Sequence, residues 1–299
     1  MRISDTQFSQ MMLQSLQLNN AGLGKVMQQM STSERLTKLS DDPMASVKLL
    51  NLDREGSAIS QYKSNIANVK TALTSQEVHL ESVNESLKRM NELVLWGANG
   101  TLSDTERTGM ITELESLRAS VVSSFNAQDE EGRYLFSGTK TDIPALTNIG
   151  GGSYAIQGNS DKRVVTVAKG VTMEANMTAA EILDLGGNHV LNQLDAVIAE
   201  FKSPSTAFRG AVEDALTTIE NTSSQVLAAI TEIGGRHNNL DLMNSAHGEN
   251  QLFVDKVKGD LSMLDYGEAS VRLSRYMTAL QATQASYVKI DGLNLFDRI

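Results

Sequence analysis

Apolar residues recur along this chain in alternating steps of three and four. Ile59, Ile66, Leu73, Leu80, Leu87 and Val94 stand seven apart, with Tyr62, Val69, Gln76, Val83 and Met90 between them. Only Gln76 is polar in that series. Such spacing is the seam of a coiled coil, and at 1.5 Å of rise per residue it predicts a helix about 54 Å long. Asp41-Asp42-Pro43 supplies its start, because Asp accepts from the free N–H groups of a first turn and Pro has φ already fixed for one. Gly97, Asn99 and Gly100 mark its end. For Gln76 two readings stand: a register-setting polar residue, or one exposed at a bundle edge.

A second seam runs through Val212, Leu216, Ile219, Ser223, Val226, Ile230, Ile233, His237 and Leu240, and turns polar at Asn244 and His247. Between the seams, Ser103-Asp104-Thr105-Glu106 is a capping box, followed by Met110, Leu114, Leu117, Val121 and Phe125 on one helical face. Matching stripes bury against one another, so these segments predict a bundle.

The two ends echo each other. Met12, Asn19 and Val26 alternate with Leu16, Leu23 and Met30, while Leu273, Leu280 and Tyr287 alternate with Tyr276, Thr283 and Ile290. Each end offers a narrow apolar stripe and a weakly polar back, and a helix of that kind draws its stability from whatever it packs against. The expected partner for one end is the other end, with a second stripe on each left for neighbouring subunits.

The middle follows another pattern. Nine of the 22 glycines fall between Gly132 and Gly187. Tyr154 to Gln157 and Arg163 to Val167 read as short strands separated by the turn signal Gly158-Asn159-Ser160-Asp161, and Val171 to Glu174 as a third. The expected fold is mainly α, an elongated long-helix bundle and coiled coil built from both chain ends, with a small β-rich insert. The divisions are residues 1–42 with 266–299 as terminal coiled-coil segments, disordered in the monomer; 43–131 with 205–265 as the bundle core; and 132–204 as a β-rich outer insert.

Composition narrows the function. Proline occurs three times and aromatics make up 5%, which suits long helices packed by aliphatic side chains. With a net charge of −10 and no cluster of Lys and Arg, a nucleic-acid partner is not expected. There is no cysteine to form a disulfide, no basic-then-apolar signal segment at the start, and no apolar run long enough to insert in a membrane.

Candidate chemistry is sparse. His79, His189, His237 and His247 lack HExxH spacing and read as polar or partly packed surface histidines, so no metal is expected. Ser137 lacks the flanking glycines of a nucleophile elbow, and the glycine-rich stretches lack a phosphate-loop ending. Asp41 and Asp42 read as a helix start rather than an acid/base pair. Trp96 reads as a packing anchor. The chain is expected to be no enzyme and to need no cofactor.

Met1-Arg2-Ile3-Ser4, and Gln29-Met30-Ser31-Thr32 running into Leu39-Ser40-Asp41-Asp42-Pro43, resemble the N-terminal signature of the flagellin superfamily. Gly132 to Thr141 is similar to the turn that closes its helical domain. The ending Gly292-Leu293-Asn294-Leu295-Phe296 resembles the hook–filament junction branch of that superfamily rather than flagellin proper. One departure stands out: the family commonly has Gly-Lys-Arg where this chain has Ser33-Glu34-Arg35.

The resemblance implies a structural protein exported unfolded, without a cleaved signal, and located at the hook–filament junction. Its implied partners are a hook-side hook-associated protein, flagellin, further copies of itself in a ring, and an export chaperone on the C-terminal helix. The assembly interface is then expected at Leu16, Leu23, Met30, Leu273, Tyr276, Leu280, Tyr287, Ile290, Leu293, Leu295 and Phe296. Flagellin itself, or a secreted coiled-coil adhesin or effector, are the alternatives.

Overall fold

The structure is a computed structural model that describes residues 2–98, 102–150, 153–183 and 189–296, with side chains described at 7 and at 10–289 of these. It is 73% helical. In chain order the elements are α1 (Arg2–Thr32), α2 (Pro43–Ala98), α3 (Asp104–Phe125), β1 (Leu146–Gly150), β2 (Ser153–Ile156), β3 (Val164–Ala168), β4 (Val171–Glu174), α4 (Ala179–Leu183), α5 (Val190–Lys202), α6 (Phe208–Ser262) and α7 (Tyr266–Phe296). The chain divides into a terminal unit, residues 1–58 with 249–299, and a central unit, residues 59–248. The boundary falls inside α2 and α6, the two longest helices at 56 and 55 residues.

In the central unit both seams are core. Ile66, Leu73, Leu80, Leu87 and Val94 of α2 and Val212, Ile219, Val226, Ile233 and Leu240 of α6 are buried in one continuous cluster. Gln76 lies inside it, 1% exposed, which settles its two readings against solvent. Its Nε2 donates to the carbonyls of Leu135 (2.7 Å) and Met177 (3.0 Å), and its Oε1 accepts from the Met177 N–H at 2.8 Å. Burying the amide is tolerated because its strong groups are satisfied by backbone. Ser103 and Glu106 form the expected capping box at the start of α3.

The middle segment departs from a plain β-rich insert. Two separate antiparallel hairpins form, β1 with β2 and β3 with β4, and Gly158 to Asp161 links the hairpins rather than turning one strand onto the next. The segment also carries α4 and α5. α5 buries Val190, Leu191, Leu194, Val197, Ile198 and Phe201. Phe136 and Phe125 meet edge to face with centroids 5.3 Å apart, so the Gly132–Thr141 turn contributes to the core.

Three smaller expectations change. Trp96 is nearly half exposed rather than an anchor. α2 runs through Gly97 to Ala98, and Asn99 and Gly100 lie outside the described residues, as do Gly151, Gly152 and Gly187. His189 is buried, its Nε2 donating to the Tyr154 carbonyl at 2.6 Å.

Candidate assembly surface

α1 and α7 pack on each other along the stripes at the chain ends. Val26 (3% exposed), Leu264 and Ala269 are the buried centre of that contact, with Met30, Leu273 and Tyr276 packed around them. Farther along, Leu16 and Leu23 are half-buried and Leu280 is buried at 9% exposed, while Tyr287 is exposed. The helices approach closely at Gly22: a Cβ there would lie 2.5 Å from the Tyr276 ring. The side chains of Ile290, Leu293, Leu295 and Phe296 lie outside the described residues.

The pairing does not consume all the apolar surface of the two helices. Met11 and Leu18, seven residues apart and so on one line of α1, are exposed, as are Leu13 and Met27 on another line. Met277 and Val288, eleven apart, share an exposed line of α7. Exposed apolar residues aligned in this way form lines rather than the scattered singles of an ordinary exterior. Periodicity had called for a second stripe without naming its members, because which flank stays open depends on how the first pair docks.

The link from α1 to α2 is held by charge and by capping. Asp41 takes the Lys25 ammonium at 2.6 Å and also accepts from the Thr37 hydroxyl and the Lys38 N–H. The Lys25 bond, with those two donors, holds its carboxyl at about 2, below its ordinary 3.8. Asp42 accepts from the Ala45 N–H at 3.0 Å, directly ahead of Pro43 at the first position of α2. That bond, with the Arg35 guanidinium 3.4 Å away, lowers its carboxyl also. Both carboxylates are engaged by structural partners.

Ser33 sits at the end of α1 with φ +61°, in the left-handed region. This is the position where the family resemblance calls for glycine, and a side chain there carries strain. Opposite it, Leu264 donates its N–H to the Ser33 carbonyl at 3.1 Å, and Arg35 donates its own to the Ser262 carbonyl at 2.7 Å. Among the described residues no group of three or more His, Asp or Glu is placed to hold a metal ion, and no helix is long and apolar enough to cross a membrane.

A family model described as the bacterial flagellin N-terminal helical region matches residues 3–141. Flagellar hook-associated protein 3 of Escherichia coli strain K12 is 26% identical over 313 aligned residues, 99% of each chain. A solved structure described as a flagellar hook-associated protein from Vibrio parahaemolyticus is 68% identical, with a TM-score of 0.71 over 75% of this chain and 100% of that one. FlgL of Xanthomonas campestris, 18% identical with a TM-score of 0.63 over 70% of this chain and 99% of that one, shares the fold.

Proposed function

This chain belongs to the flagellar hook-associated protein family, in its hook-associated protein 3 branch, and from that premise we propose how it makes the junction. It is a structural component of the bacterial flagellum, of the kind that stands between hook and filament. Its relatives are structural proteins rather than enzymes. In the proposed mechanism the chain leaves the cell unfolded and without a cleaved signal, and an export chaperone covers the C-terminal helix until then. Segments 1–42 and 266–299 are disordered in the free monomer and order when copies form a ring. That ring seats on a hook-side hook-associated protein below and presents a surface to flagellin above.

The observation that carries this reading is the exposed apolar alignment on α1 and α7. A helix pair with so small a buried centre gains little from folding alone and much from a neighbour covering its open flanks.

Limited proteolysis of the purified monomer tests the reading. Both ends should be trimmed quickly, leaving a resistant remainder. Equal resistance along the whole chain would sink it. A gene deletion supplies the functional half: flagellin should still be secreted but fail to polymerise on the hook. Long filaments grown by the purified protein alone would instead make it a filament subunit.

A further inference from the structure

Where α1 gives way to α2, and α6 to α7, the two crossings of the terminal unit cap each other. A helix ends with four carbonyls that lack intrahelical partners. For α6, two of these are taken by the other crossing: Leu261 accepts from the Arg35 guanidinium (Nη2 3.2 Å) and Ser262 accepts from the Arg35 N–H. For α1, the reverse holds. The Tyr266 hydroxyl, from the first residue of α7, donates to the Met30 carbonyl at 3.0 Å. With its single proton so used, it accepts from the Ser33 Oγ at 2.7 Å. Glu34 and Met263 add an antiparallel bridge between the crossings, and Gln29, buried, donates to the Arg35 carbonyl.

Ser33 then makes sense as a non-glycine at positive φ. Strain of this kind persists only where the surroundings over-determine it. Here the hydroxyl that glycine would lack is bound to Tyr266. Neither crossing is complete without the other: cutting the Tyr266 bond exposes the end of α1, and removing Arg35 exposes the end of α6.

We propose that this reciprocal capping, centred on Tyr266 and Ser33, is a lock that makes the last turns of α1 and the first turns of α7 fold as one unit. The lock rests on the assembly reading for its purpose. It gives the free chain a fixed point, so order spreads outward along both helices together when a neighbour arrives. It narrows the disorder proposed for segments 1–42 and 266–299 to the parts beyond the crossing, leaving residues 26–35 and 266–269 ordered in the free chain.

Hydrogen exchange of the full-length chain, read by mass spectrometry, tests it. In the unaltered protein residues 26–35 and 261–269 should be protected. Tyr266→Phe should raise exchange about fivefold in both stretches at once, the effect of one lost hydrogen bond of about 1 kcal/mol. Ser33→Ala, which keeps the backbone strain but removes the hydroxyl, should raise both by a smaller factor. Absence of protection at the crossing in the unaltered chain, or a Tyr266→Phe effect confined to the α7 side, overturns the lock. Residues 10–22 and 277–289 report separately: strong protection there sinks the assembly reading while leaving the lock standing.

Discussion

Among the described residues, the central unit buries 38 apolar residues and exposes 8 large ones, whereas the terminal unit, little more than half its length, buries 6 and exposes 16. Charge divides the same way. The central unit carries 14 basic against 23 acidic residues, the terminal unit 12 against 13. One unit has finished its core and carries an excess of acidic side chains, a balance that favours solubility over self-association. The other is near neutral and unfinished. The same heptad grammar underlies both, so the seam alone does not decide whether a helix is self-sufficient; the number of other elements that converge on it does. α2 and α6 in the central unit are met by α3, α5 and both hairpins, while α1 and α7 have chiefly each other.

The largest expected effect on that contrast comes from Leu80→Asp. Leu80 is 0% exposed, and a carboxylate there should cost roughly 5 kcal/mol or more and abolish cooperative melting of the central unit. Leu280→Asp should leave that melting where it is, since Leu280 belongs to the terminal unit, yet block incorporation at the hook. If it lowers the melting temperature as far as Leu80→Asp does, the two units are not independent. Gln76→Leu comes next. It strands two carbonyls and one N–H in the core, and should lower stability by roughly 3 kcal/mol in a denaturant titration.

Acid gives the smallest change, read at Asp41 in the terminal unit. The Asp41 carboxyl is depressed in the folded state, so its contribution is fully present above its ordinary value of 3.8 and lost as pH falls towards about 2. Amide exchange near residues 25–41 should therefore rise between pH 4 and pH 2, in a manner that Asp41→Asn removes. An unchanged pH profile in Asp41→Asn would take the Lys25 pair out of the account.

Much of this was legible in the residues because it is local. The α2 and α6 seams, the capping box at Ser103 and the Asp42-Pro43 start all follow from spacings of seven residues or fewer. What escaped is non-local. β1 was missed because it is a strand only by pairing with β2. α5 was hidden by the surrounding glycines although its apolar positions at 190, 191, 194, 197, 198 and 201 are helical in spacing. The contacts of Gln76 come from residues 59 and 101 positions away, which no periodicity reports. Of the two apolar stripes on α1 and α7, the inner one, where the helices meet, was readable and the outer one was not.

Gly22 has a mechanical meaning beyond close packing. With the Tyr276 ring seated where its side chain would be, sliding α1 by one heptad in either direction would bring Ser15 or Gln29 under that ring, and neither leaves the gap. The helix pair is thereby indexed, like a gear held by a single pin. Load along its axis has to be borne by the whole pair, because a slip by one heptad cannot relieve it.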